Sequence, residues 1–446
     1  MARSWLIKSL VLAGLGLLLS LVLLRIGWLV DERQARQAEA VRSVEESLAG
    51  AQLMLGPVLT RVCTEQWGAW AGEGRERQLQ AQSRQFRLSA VPGDLQLKAQ
   101  LDPEPRYRGL FKVNGYAGHL QLAAQWPALG KLEPHAEHAG GRLHCEVPRL
   151  MLAASDVRGL RSVSLSAAGQ ALAVRPGTGH PSYPQGLHAD LPEVVMNGQA
   201  LQVQMQLELA GTQRFALIPA AASTRLELQS GWPHPSFGGR FLPTRREVSD
   251  QGFTALWQVS ELASTAGDWV EHGRPLRGLS SGDQLADADS LSFDMVDPIN
   301  PYVMSDRAIK YGLMFILLTF TCVSLVELLS GRRVHPVQYL LVGLAQCLFF
   351  LLLLSLSEQL SFASSYALAA LAAVGLLGVY GASMLGHWRR GLLFGSGLAA
   401  LYGALFVLLR LEQAALIVGS LLLFATLATV MMLTRKLDWY ALAELR

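Results

Sequence analysis

The chain has 446 residues, 51% of them hydrophobic and 16% charged, with a net charge of +3 and a positive mean hydropathy. Its length allows two or three domains. So small a charge, with no long Lys/Arg run, excludes a nucleic-acid binder held by phosphate contacts. The apolar residues are unevenly spread: one block lies near the N-terminus, others fill everything past Tyr311, and residues 31–306 read as ordinary soluble protein.

The first apolar run, 9–30, is interrupted by Arg25. Ala38-Glu39-Ala40 formally fits a small-x-small cleavage site, but it lies far beyond the run, and signal h-regions extend only about 7–15 residues. An uncleaved anchor helix is expected, preceded by a short N-terminal segment, 1–8, with Arg25 snorkelling to the far interface. "DERQARQAEAVRSVEESLAG" predicts a helix leaving the membrane and stopping at Gly50.

Beyond it the period changes to two. "LQVQMQLELAG" puts Leu201, Val203, Met205, Leu207 and Leu209 on one face, and "LQLKAQL", "RSVSLS", "TRLELQS" and "FTALWQV" repeat the pattern. Short alternating strands between Gly/Pro-rich turns predict antiparallel sheets with one buried face, packed as a β-sandwich or layered sheet. "RPGTGHPSYPQG" reads as a long loop between two such runs. Cys63 and Cys145 fall in this domain, while Cys322 and Cys347 lie in apolar runs. An oxidising compartment favours a bridge between the first two, worth about 4 kcal/mol in the chain-entropy model; two buried thiols are the other reading.

"EPHAEHAGGRLHCE" gathers His135, His138, His144, Cys145, Glu137 and Glu146. His135 and His138 could share a face, but the spacing is one residue short of HExxH. A solvated loop is the favoured reading; no metal or other cofactor is expected. "GGRFLP" lacks the Lys-Ser/Thr of a phosphate loop and reads as a strand connection.

From 307 to 434, five runs meet the length of about 20 apolar residues needed to cross a bilayer: 311–329, 339–356, 362–385, 391–409 and 414–433. With the anchor this makes six spans. Arg332 and Arg333, Arg389 and Arg390, then Arg435 and Lys436 fall at alternate ends of the five. Positive loops stay in the cytoplasm, so both termini, including the tail 435–446, are expected inside and residues 31–306 in the periplasm. Arg25, Arg33 and Arg36 outnumber Arg3 and Lys8 across the first span and argue the other way; the three later loops outvote them.

Ionisable groups in spans default to functional hypotheses. Glu327 stands near the Arg332/Arg333 knot, where an interfacial ion pair is favoured over a proton or ion site. Glu358 reads as a water-facing hairpin cap. His335-Pro336 is expected to open a helix, since proline suits its first turn. Gln338 and Tyr339 are placed to hydrogen-bond across helices. Trp388 and Trp439-Tyr440 read as interfacial aromatic anchors, and Asp438 as a partner for a basic turn.

"GRRVHPVQYLLVG", "LLLSLSEQLSF", "LTRKLDWY", "RGLFKVNGYAG", "SDVRGL", "GGRFLPTRREVSDQGFTALWQVS" and "RAIKYGLMFILLTF", with "GPVL" at Gly56, together resemble the CreD family of bacterial inner-membrane proteins, described as cell-envelope integrity proteins. The likeness runs in order along nearly the whole chain. It implies the same plan, a link to envelope stress and, in some relatives, regulation by a two-component system; it implies no catalytic residues. The Cys63/Cys145 pair, the cluster near His135 and the short tail after Tyr440 depart from the pattern. The expected function is therefore non-enzymatic: support of envelope integrity or stress response through a periplasmic domain. The expected partners are the lipid bilayer and envelope proteins or other membrane components, without nucleic acid and with the oligomeric state open. The alternatives are a small-solute or ion transporter, which needs mid-span polar residues or broken helices, and a periplasmic enzyme, supported by the histidines alone.

Overall fold

The computed structural model describes residues 2–71, 78–192, 200–276, 278–279, 289–297, 300–330, 334–410 and 415–435. The chain divides into two compact units, residues 1–38 with 299–446, and residues 39–298.

The helical unit begins with α1 (Ala2–Ser47), 46 residues without a proline, so the anchor and the helix expected after it are one continuous element. The short α2 (Ala266–Glu271) belongs to the other unit. Then follow α3 (Pro301–Lys310), α4 (Gly312–Ser330), α5 (Pro336–Ser357), α6 (Phe362–Leu385), α7 (Trp388–Arg410) and α8 (Ala415–Thr434). Their starts carry the expected chemistry: Asn300 accepts the N–H of Tyr302 with Pro301 in the first turn, and Ser361 accepts the N–H of Ser364. Gly386, at φ 69°, ends α6 in the left-handed conformation that glycine tolerates.

Among the described residues, four helices are long and apolar enough to cross a membrane: α1, α5, α6 and α7. A fifth exists if α3 and the adjoining α4, bent by 43°, count as one span, and α8 contributes a shorter apolar stretch, Gly419–Met432. This coarser statement replaces the six separate spans expected. The bend has a packing reason. At Gly312 a Cβ would lie 3.0 Å from Leu23 and 3.2 Å from Phe350, so a residue poor at holding a helix sits where side chains of α1 and α5 leave little room. Leu19, Leu23, Phe315, Phe349 and Tyr402 are core residues of the bundle. Leu10, Leu17, Leu371, Val379 and Phe424 face outward, the apolar exterior that lipid requires.

In the other unit the strands run β1 (Gln52–Ala71), β2 (Gln78–Ala90), β3 (Asp94–Pro103), β4 (Arg106–Arg108), β5 (Phe111–Val113), β6 (Gly115–Trp126), β7 (Arg142–Cys145), β8 (Arg149–Ala154) and β9 (Leu160–Ala167). They continue with β10 (Gln170–Ala171), β11 (Arg175–Pro176), β12 (Gly186–Asp190), β13 (Leu201–Thr212), β14 (Arg214–Ile218) and β15 (Ser223–Ser230). Last come β16 (Pro235–Gly239), β17 (Arg245–Ser249), β18 (Gly252–Ser260) and β19 (Leu291–Met295). One sheet has the order β11-β12-β8-β1-β14-β19-β16, with β2 and β7 also on β1; the second has the order β10-β9-β13-β6-β3-β15-β18-β17. Alternation along β13 is realised: its five apolar residues are buried and the glutamines between them exposed.

The sheets are mixed rather than purely antiparallel, because β1 pairs with β14 and β15 with β3 in parallel. Parallel neighbours need long crossover connections, and a period of two carries no information about the direction of a neighbour. The main core, including Trp126, Trp257 and Phe293, lies between the sheets. On the first sheet's other face Leu53, Leu55 and Met151 pack with Val270 of α2 and with Tyr183 from the "RPGTGHPSYPQG" loop, forming a third layer.

Candidate functional site

Glu327, 5% exposed on α4, is the most confined acid of the bundle among the described residues. Its Oε2 accepts from Lys8 Nζ on α1 (2.5 Å) and from the Tyr339 hydroxyl on α5 (3.0 Å). Ser324 Oγ lies 3.0 Å from the same hydroxyl, and Lys8 Nζ also reaches the Val334 carbonyl at 3.4 Å. Lys8 is thus a partner of Glu327; Arg332, Arg333 and Lys436 lie outside the described residues. A desolvated carboxylate persists when an opposite charge and hydrogen bonds replace its water, and both are present here. Tyr339 bonds across helices, whereas Gln338 turns to the start of its own helix. Its side chain accepts the His335 N–H while the His335 ring accepts that of Val337, closing a capping box on α5.

At the far end of α5, Glu358 is the C-cap residue. It is not a water-facing cap: its side chain is only 14% exposed and pairs with Arg33 Nε of α1 at 3.3 Å. From Lys8 to Arg33, α1 rises roughly 37 Å, so the two ion pairs are separated by about a hydrocarbon thickness. Between these ends Gln346 Nε2 donates to Thr319 Oγ1 at 2.5 Å, with both residues buried, while Gln346 Oε1 has no partner. Arg389 and Arg390 occupy the exposed first turn of α7, and Arg435 follows α8, also exposed.

In the sheet unit Cys63 of β1 stands opposite Cys145 of β7, and the two are joined in a disulfide. Beside it Glu65 is fully buried and accepts the backbone N–H groups of Glu137 (2.9 Å) and His138 (2.8 Å). The His138 N–H, first of all, draws the Glu65 carboxyl below its ordinary range, helped by the His138 ring. That ring stacks on Trp67 at 3.7 Å, and Arg84 bridges Glu65 and Glu137. His135 turns its Nδ1 to the Glu133 carbonyl, and His144 is exposed on β7 opposite Thr64. His135, His138 and His144 are not gathered as ligands; among the described residues no group of three or more His, Cys, Asp or Glu side chains is placed to hold a metal.

A family model described as "Inner membrane protein CreD" matches residues 4–440. The chain belongs to the CreD family. Escherichia coli K12 has a relative, inner membrane protein CreD, that is 33% identical over 98% of this chain and 94% of its own length. Solved structures resembling it include chains of an M1 zinc metallopeptidase from Deinococcus radiodurans. They are 12% identical, with TM-scores of 0.21 and 0.22 over 37% and 46% of this chain, and the overlap covers 38% and 42% of their length.

CreD membership makes this an inner-membrane protein of a family not named for an enzyme. Within this CreD-family chain, sequence reasoning missed Lys8 and Arg33 as partners of Glu327 and Glu358, and Glu65 as the clamp of the histidine loop. A signal for the first existed: Glu327 is an acid inside an apolar run and must be compensated, and Lys8 borders the other apolar run close enough to its end to serve.

Proposed function

We propose that this chain supports cell-envelope integrity or the response to envelope stress as a non-catalytic membrane protein. Its sheet unit, residues 31–306 with the helix leading into it, faces the periplasm and contacts envelope components, while the helices anchor it with both termini in the cytoplasm. The observation that carries the reading is the pairing of buried Glu327 and half-buried Glu358 with α1. Glu327 with Lys8 and Glu358 with Arg33 leave neither carboxylate free to carry a proton or ion. Anchoring explains that arrangement better than conduction. The alternative, a small-solute or ion transporter using the C-terminal helices, has one observation in its favour, the unpartnered Gln346 Oε1 at mid-bundle.

The test is crosslinking in intact cells. Ala200→Cys, at an exposed position beside β13, treated with a membrane-impermeant thiol crosslinker, is expected to capture envelope components. Failure to react from outside the inner membrane, or reaction without any capture while stress tolerance persists in a chain lacking 39–298, rejects the reading.

A further inference from the structure

The outward face of the second sheet carries a groove of about 490 Å³ spanning β3, β6, β15, β17 and β18, and an adjoining hollow of about 290 Å³ over β6, β9 and β13. His119 and Gln121 line both, so the two form one trough running across the strands. Strand register explains the continuity. Gln206, Gln121, Lys98 and Glu227 stand opposite one another on β13, β6, β3 and β15; Glu208, His119, Gln100 and Gln229 form the next row on the same face. Ser162 and Ser164 of β9 extend the rows at one end, and Thr254 of β18 with Arg245 and Glu247 of β17 at the other. Seven strands at about 4.8 Å spacing make a trough roughly 29 Å long.

Its chemistry is unusual for a face that only needs to stay wet. Such faces are ordinarily filled with Lys, Arg, Glu and Asp, yet here four of the eight side chains in the two central rows are glutamines, each amide offering both donors and an acceptor, flanked by hydroxyls. Lys98, Arg245 and Arg246 are offset by Glu208, Glu227 and Glu247, so no sign dominates that would attract phosphate or a basic peptide. Among the described lining residues no Phe, Tyr or Trp offers a platform for nucleobase stacking. The complementary ligand is long, uncharged and dense in alternating donors and acceptors. We propose that this trough binds a glycan strand bearing hydroxyl and N-acetyl groups. The proposal rests on the periplasmic reading above, since it names the class of envelope component that the sheet unit touches.

The probe is a series of chito-oligosaccharides titrated into the full chain in detergent. Saturable binding that tightens with oligosaccharide length is expected. The double substitution Gln121→Leu with Gln206→Leu should weaken it by about tenfold or more, as for two lost neutral hydrogen bonds. Gln258→Leu, on the same face but outside the trough, should leave binding unchanged, and equal melting temperatures of all variants show that the fold is intact. Absence of saturable binding, equal binding of acidic or basic peptides, or binding indifferent to the double substitution overturns the proposal. Labelling at Ala200→Cys separates the two failures. A sheet unit that labels from outside but binds no glycan sinks this inference alone, whereas one reachable only from the cytoplasm sinks the periplasmic reading while binding in detergent stands.

Discussion

At Glu327 a carboxylate has left water for the interior of a helical bundle, and Lys8 with the Tyr339 hydroxyl replaces the lost solvation. Removing one member strands the other. Lys8→Met should therefore destabilise the bundle by about 3–5 kcal/mol, and the pair Lys8→Met with Glu327→Gln by much less. Thermal unfolding in detergent reads the difference, and equal losses in the single and double variants would disprove the coupling. In the sheet unit His180, 2% exposed, takes the Ser182 N–H on its Nδ1. Burial, then the nearby Arg87, push its pKa down to about 4. The unfolded chain therefore binds a proton near pH 6.5 that the folded chain refuses until about 4. Stability is complete above that window and falls as pH drops through it. The loss is at most about 3 kcal/mol. His180→Gln should flatten the dependence of melting temperature on pH between 6.5 and 4. The partners of these residues were illegible because they lie far apart in the chain: Lys8 and Glu327 are separated by 319 positions.

Among elements, β1 is the hub of its sheet, pairing with β2, β7, β8 and β14. The short β7 is tied to it by the Cys63–Cys145 bridge, which closes a sequence separation of 82. In the chain-entropy model such a loop contributes about 4 kcal/mol through the unfolded state. Reduction, or Cys63→Ala with Cys145→Ala, should lower the melting temperature of the sheet unit while leaving that of the helical unit unchanged. Free-thiol counts in denaturant rise by two on reduction if the bridge is present, and an unchanged count removes it. The sequence showed that both cysteines lay in one soluble segment, but not that β7 would lie beside β1, since four residues of "RLHC" carry no address for their neighbour. The opening of α5 was more legible. His-Pro followed by Gln is local chemistry, and the capping box of His335 and Gln338 needs only the residues that form it.

On the scale of the molecule, α1 runs on as a single helix, and its ion pairs fall at opposite ends of the apolar span, Lys8 beside Val334 just before α5 and Arg33 beside Glu358 at the end of α5. Lys8 and Val334 thus share one end of the bundle. The proposed orientation makes that end cytoplasmic, as the basic loops require. Crosslinking at Ala200→Cys consequently reports a property of the whole chain, because one inverted helix would carry the entire sheet unit to the other side. Arg33, which counted against this orientation as a bare charge, is engaged by Glu358.

Apolar run lengths and residue alternation determined by themselves that the chain has membrane-embedded helices and a sheet-rich domain between them. Both signals follow from local geometry: the rise of a helix against the thickness of a bilayer, and the two faces of a strand. Tertiary structure alone decided which strands run parallel, which base meets which acid, and that rows of glutamines align into a trough. Those outcomes depend on the placement of segments distant in sequence, and no local pattern encodes the side on which a distant segment will arrive.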